Sequence, residues 1–381
     1  MEYTKIKNIN EYKSKSINPM KTPDTVFEMY SVPTYGTGHP EYLSGSEIGS
    51  NKVEVQKNDV LLCKINPRIN RVWVVADESG HQSVASSEWI VVRNSSYNPE
   101  FLAWYFRSPR FRKLMTSEVT GIGGSLTRAQ PKTVAEYPVP VMDRGDQDRY
   151  AEILNRVNSI IEARKREIET LDYLIKARFV ELFGDPVSNP KGWEKKALSE
   201  EAEIKIGPFG SLLHKEDYIT GGHALVNPSH IVGGKIMHDD KLTVSGEKYD
   251  ELSAYHLMTG DVVMGRRGEM GRCAVVEQTG LLCGTGSLLI RTNGDLSADF
   301  IQKIISFPSF KRTIEDMAVG QTMPNLNVPI VSTFQIIKPP KSVQNQYYAF
   351  VAQVDKSKVA IQKSLKETLL LFDSLMQEYF G

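Results

Sequence analysis

The stretch that most limits how this 381-residue chain can fold lies at its middle, from Asp146 to Gly184. Leu154, Ile161, Ile168, Ile175 and Leu182 recur every seven residues across it. Val157 and Leu171 mark a second apolar row, which Arg164 and Arg178 interrupt. Apolar residues held in register over four heptads predict a helix that buries one stripe against another helix. At ~1.5 Å per residue it is a rod of roughly 55 Å, longer than most helices of an ordinary core. Asp146 is the expected cap of its first amides, and Gly184 before Asp185-Pro186 is the expected stop.

The chain also supplies a partner for the rod. At a shift of 197 residues Gln147, Glu181, Phe183 and Gly184 fall on Gln344, Glu378, Phe380 and Gly381. The second stretch carries Val351, Val354, Ile361, Leu365, Phe372, Leu375 and Tyr379 at steps suited to one helix face, with Lys358 and Thr368 as polar breaks. Two matched apolar seams in one chain most simply bury each other. The order is then module (1–140), rod (146–184), module (187–341), rod (342–381), an internal duplication.

Composition narrows the function. Lys and Arg number 46 and Asp and Glu 46, so any attraction for nucleic acid must come from local patches, not from a global field. Cys63, Cys273 and Cys283 are odd in number and form no CxxC, which predicts reduced thiols and a cytoplasmic location. No apolar run reaches membrane-spanning length, and Met1-Glu2-Tyr3-Thr4 does not open a signal peptide.

The first module opens on a polar stretch with Pro19, Pro23 and Pro33, expected to be loop-like, followed by a shaped, exposed VPTYGTGHPEYLSG segment. Asp59 to Val75 reads as two strands around a basic turn, and Glu88 to Val92 as another strand. Phe101 to Leu114 reads as one short helix carrying Arg107, Arg110, Arg112 and Lys113, a run expected to be a solvated face more than a phosphate clamp. A Gly-rich loop, TGIGGSLTRAQ, and YPVPV lead back to the rod. The second module repeats the order: Asp261-Val262-Val263 stands for Asp59-Val60-Leu61, Arg272 for Arg71 and Arg291 for Arg93. Phe300, Pro308 and Phe310 match Phe101, Pro109 and Phe111 at a shift of 199, and VGQTMPNLN replaces the Gly-rich loop. The leading thirds differ, since IGPFGSLLHKEDYITGG has no clear twin in the first module. One scaffold repeated with different loops suits one protein reading two targets.

The order module–rod–module–rod resembles the specificity subunit of type I restriction–modification enzymes. YPVPV and KPP before the rods, Gln147 near a rod's start, LFGDPVSNPKGW, GPFGSLLHKEDY and DVLLCKINPRINRVW carry the same resemblance. It covers the whole chain. It implies two α/β (α+β) target-recognition domains separated by two long helices forming an antiparallel coiled coil. Each domain is expected to read one half of a split, asymmetric site in double-stranded DNA. The implied partners are two methylation subunits and the restriction/translocase subunits, with S-adenosylmethionine, ATP and Mg on those partners and no cofactor in this chain. Two other readings are a stand-alone bivalent DNA-binding regulator and a two-module protein- or glycan-binding scaffold.

Signals for chemistry in the chain itself are weak. There is no [DN]PP[FYW] loop, since Pro339-Pro340 is flanked by lysines, and no GxxxxGK[ST]. Gly284-Thr285-Gly286 and the Gly121–Gly124 run are lone Gly-rich signals. Asp185, Glu203 and Lys205 fit a nuclease spacing only loosely, and His214, His223, His230 and His238 lack the close pairing of a zinc site. The chain is thus expected to be non-catalytic and to hold no metal. Arg suits guanine, Asn and Gln suit adenine, and Ser, Thr and Lys hold phosphates. On that chemistry the expected DNA-facing residues are Arg68, Asn70, Arg71, Thr127, Arg128, Gln130 and Lys132 in the first module. In the second they are Ser211, Lys215, Arg266, Arg267, Arg272, Gln321, Thr322, Asn325 and Asn327. The plain alternative for each is a solvated loop residue or a structural salt bridge.

Overall fold

A computed structural model describes residues 2–76, 79–117, 119–120, 127–318 and 325–381. The chain divides into two compact units, Met1–Ile168 with Val359–Gly381, and Glu169–Lys358. Both mix helices and sheets.

The first unit contains β1 (Glu2–Lys5), β2 (Val60–Cys63), β3 (Val72–Val74), β4 (Trp89–Val92), α1 (Pro99–Arg107), α2 (Pro109–Ser117), β5 (Pro138–Val141) and the start of α3 (Arg144–Phe183). Every residue of β2 is buried, as a continuous apolar run requires of a central strand. It lies between β3 and β4. The opening is not loop-like. β1 pairs antiparallel with β5, the YPVPV strand, while Ser16–Ile17, Val26–Tyr30 and Glu41–Ser44 join Lys52–Glu54 and Gln82–Ala85 in a five-stranded sheet. These short strands carry little alternation, and partners far along the chain decide them. The single helix expected over Phe101 to Leu114 is two, because Pro109 drives Ser108 out of the helical region to ψ 150.

The second unit holds β6 (Lys195–Ala197), β7 (Val262–Gly265), β8 (Cys273–Val275), β9 (Ser287–Thr292), α4 (Ala298–Ile305), α5 (Pro308–Met317), β10 (Gln335–Ile337) and the start of α6 (Lys341–Phe380). The pairing of β1 with β5 recurs as β6 with β10, and β7 sits between β8 and β9. The duplication reaches single hydrogen bonds. Buried Asp59 accepts Arg93 Nε and Nη2 at 2.6 and 2.7 Å, and buried Asp261 accepts Arg291 Nε and Nη2 at 2.9 and 2.7 Å. Cys63 N donates to Arg71 O at 3.0 Å, and Gly265 N to Arg272 O at 2.8 Å, fixing Arg71 and Arg272 as equivalents.

The rods form as expected, with one correction. α3 begins at Arg144, and Asp143, not Asp146, caps it by accepting Asp146 N at 3.0 Å. Gly184, at φ 76, ends it with the left-handed residue that a helix terminus favours. In the first unit Leu154, Val157 and Ile161 are buried, and Ile168, Ile361, Leu365, Phe372 and Leu375 are half-buried. There Tyr150 stacks on Tyr379 at 3.9 Å, while Trp104 touches both Asn155 and Phe372, so the two helices run antiparallel. The second unit repeats this. Asp172 pairs with Lys358 at 2.5 Å, Arg178 lies 5.7 Å from the Phe350 ring, and Phe179 meets Tyr347 at 5.6 Å. Ile175, Leu182 and Val351 pack half-buried there, and Val354 is buried. Each helix ends in a module core: Phe380 packs on Phe101 at 5.5 Å and Phe183 on Phe300 at 4.9 Å. Gln147 and Gln344 are buried equivalents that donate to Met142 O at 2.8 Å and Pro339 O at 2.9 Å. The three cysteines are buried and free, and burial pushes the Cys273 and Cys283 thiols up to about 12.

Candidate nucleic-acid interface

In the first unit the basic turn between β2 and β3 is a tight structure. Pro67–Ile69 forms one 3-10 turn flanked by Asn66 and Asn70, at φ 47 and 52. Asn enters that left-handed region more readily than most residues, and Asn70 Nδ2 donates to Arg107 O at 3.2 Å. The turn is laced to the chain emerging from the Gly-rich loop. Asn66 N donates to Thr127 O, and Ala129 N to Lys64 O, both at 2.8 Å, and Ile65 bridges to Arg128. Arg68, Asn70, Thr127 and Arg128 are thereby gathered at one junction. Gln130 and Lys132 follow at its edge and are exposed.

The second unit builds the same junction from other residues. Arg267 bridges to Asn325, and Leu326 N donates to Arg266 O at 2.9 Å. Arg266 Nε donates to Asn325 Oδ1 at 3.1 Å and Leu326 O at 3.2 Å, while Arg267 is exposed beside it. Burial, and then the charge of Arg267, hold the Arg266 guanidinium below its ordinary value. Among the described residues no carboxylate pairs with Arg266 or Arg267, and two adjacent arginines favour an anion or an electron-rich base edge. Gln321 and Thr322 lie outside the described residues, as does most of the Gly-rich loop of the first module. Ser211 and Lys215 sit on separate single turns, Gly210–Leu212 and Lys215–Asp217, with Lys215 exposed.

Hydrogen bonds change what several residues can offer. Asn325 Oδ1 is taken by Arg266, and Asn327 Oδ1 caps Val328–Ser332 by accepting Ile330 N at 2.9 Å. Bidentate adenine readout needs that oxygen together with the amide nitrogen. Arg272 is held by Glu269 at 2.7 Å and by Pro228 O at 3.1 Å. Arg128 is paired with Glu88 at 3.0 Å, a partner the sequence did not point to. The Arg107–Lys113 run is not a plain solvated face. Arg107 donates to Val72 O at 2.9 Å and lies 4.6 Å from Trp104, Arg110 donates to Tyr3 Oη at 2.8 Å, and Arg112 to Arg68 O at 2.7 Å. Glu203 pairs with Lys205 at 2.9 Å on one strand, and Asp185 accepts Val187 N and Ser188 N, as local salt bridge and turn.

Known proteins resemble this duplicated scaffold in sequence and in fold. Residues 190–371 match the family model of the type I restriction modification DNA specificity domain. The second module and most of its rod therefore match a type I restriction modification DNA specificity domain. It is 19% identical over 354 residues to the specificity subunit of type I restriction enzyme MjaVIII of Methanocaldococcus jannaschii, covering 85% of this chain and 80% of the relative. The MjaIX specificity subunit of the same organism is 22% identical over 302 residues, 73% of this chain and 67% of the relative. Two solved structures share the fold. One chain comes from a study of complex assembly and conformational transition of the type I R-M system, at TM-score 0.63 and 17% identity over 100% of this chain and 97% of that one. The other is the S subunit of a type I system from M. genitalium, at TM-score 0.57 and 14% identity over 100% and 96%.

Proposed function

We infer that this chain is the DNA-specificity subunit of a type I restriction–modification system, each module reading one half of a bipartite, asymmetric duplex target. The observation that carries the reading is the same junction built twice from different residues, Lys64–Arg71 with Thr127–Ala129 and Arg266–Arg272 with Asn325–Asn327. Equal frames with unequal contents suit two different half-sites. The chain acts without catalysis or cofactor of its own. S-adenosylmethionine, ATP and Mg belong to methylation and restriction/translocase subunits, and the complex works in the cytoplasm. Among the described residues no helix is long and apolar enough to cross a membrane.

Arg128 and Arg267 are the proposed base readers. Arg128→Ala or Arg267→Ala is expected to cost about 1–3 kcal/mol on the cognate duplex and to relax one base position. Binding of a randomised duplex pool checks this. An even loss on all sequences assigns the residue to a phosphate, and no loss removes it from the interface.

The methylation subunits have a repeated surface to meet. Tyr173 and Leu174 of α3 are 72% and 43% exposed, and at the 197-residue shift Leu370 and Leu371 of α6 are 62% and 52% exposed. Apolar pairs left in solvent at equivalent positions of both units suit two copies of one partner. Leu370→Lys with Leu371→Lys is expected to reduce the bound methylation subunits from two to one, read by native mass spectrometry. Retention of both copies would place the contact elsewhere.

A further inference from the structure

The duplicated scaffold supplies its own control for a groove in the second unit. Arg71 and Arg272 are equivalents by hydrogen bonding, so Asn70 matches Gly271 and Val72 matches Cys273. Both Asn70 and Gly271 are left-handed, at φ 52 and 72. On the helices the 199-residue shift pairs Trp104 with Lys303, Arg107 with Ser306 and Arg112 with Lys311. In the first unit the groove between the turn and the helices is filled. Arg107 crosses it, stacked on Trp104 and bonded to Val72 O, and Arg112 closes it onto Arg68 O. In the second unit serine replaces that arginine and the groove is an open cavity of about 380 Å³.

The wall of the cavity is strongly cationic in a chain with no net charge. Arg272, Lys303 and Lys311 line it, against one carboxylate, Glu269. Glu269 is already divided between Arg272 at 2.7 Å and Lys311 at 2.9 Å. Among the described residues no acidic group pairs with Lys303, which is half-buried. The far wall is the turn Gly233–Gly234, at φ 59 and 78, which presents main chain in place of side chains and has no twin in the first module. A half-buried ammonium without a counter-ion, beside two shared cations, is stabilised by a compact dianion or a diester oxygen pair. We propose that this cavity binds a phosphate group, held by Lys303 and Lys311 in the space that Arg107 fills in the first unit.

The phosphate comes either from the backbone of bound DNA, which rests on the functional reading above, or from free phosphate in solution. The full chain decides, with Lys303→Gln, Lys303→Arg and the groove-filling Ser306→Arg, each checked for an unchanged circular dichroism spectrum. In the first arm the salt dependence of duplex binding is measured. A DNA phosphate in the cavity makes the log–log slope about one smaller in Lys303→Gln and Ser306→Arg, with half-site preference kept and Lys303→Arg near wild type. In the second arm inorganic phosphate is titrated and followed by phosphorus NMR line broadening. A free-phosphate site gives broadening with the wild type that both blocking variants abolish, and an unchanged duplex slope. Either pattern supports the site. An unchanged slope together with no variant-sensitive phosphate binding overturns it. A wild type that binds no duplex at all contradicts the functional reading, and the phosphate titration then decides the cavity alone.

Discussion

Asp261→Ala is expected to destabilise the chain by about 3 kcal/mol, and Asp59→Ala by a similar amount, the lower end of the cost of breaking a buried pair. Each aspartate is buried and grips an arginine through both oxygens, while Arg93 and Arg291 remain 28% exposed and recover part of their hydration. The same carboxylates hold the start of the central strand: Asp59 Oδ2 accepts Gln56 N at 2.9 Å and Asp261 Oδ2 accepts Met258 N at 2.7 Å. Removal therefore strands a guanidinium and a backbone amide together. Urea unfolding should show a lower midpoint with little change in slope. A loss under 1 kcal/mol in both variants would mean that the pairs are solvated and do not fix the strand.

The second large effect belongs to the helix ends. Phe183→Ala and Phe380→Ala should each cost about 3–5 kcal/mol, the range for emptying a buried aromatic site. Phe183 is fully buried among Phe179, Phe300 and Tyr347, and Phe380 among Phe101 and Tyr105. Exposed Val180, one turn earlier on α3, is the internal comparison, and Val180→Ala should change stability by under about 0.5 kcal/mol. Equal effects at Phe183 and Val180 would contradict the packing of the helix end into the module.

Particular residues explain which features the sequence carried. The seven-residue spacing from Leu154 to Leu182 is local, and one helix face expresses it directly, so α3 and the 197-residue echo in α6 were legible. Asp59 and Asp261 were legible as equivalents because each immediately precedes an apolar strand that the duplication preserves. The pairing of β1 with β5 joins residues more than 130 positions apart, and no local pattern specifies it. Hydrogen bonding was also hidden. Asn325 and Asn327 read alike in sequence, yet one oxygen receives a guanidinium and the other caps a helix. Glu88 gave no signal, since its role depends on Arg128 arriving from a loop 40 residues away. Arg107 was visible in a basic run, but only its stacking on Trp104 shows that it fills a groove.

The central claim is that each module reads its own half of the target, and a module exchange tests it most directly. Residues 1–140 are replaced by the corresponding module of another family member, and the chain is expressed with its methylation subunits. Methylated sites are then mapped across the genome by single-molecule sequencing. One half-site should change to that of the donor, while the other half-site keeps its sequence. A target in which both halves change together would contradict independent readout.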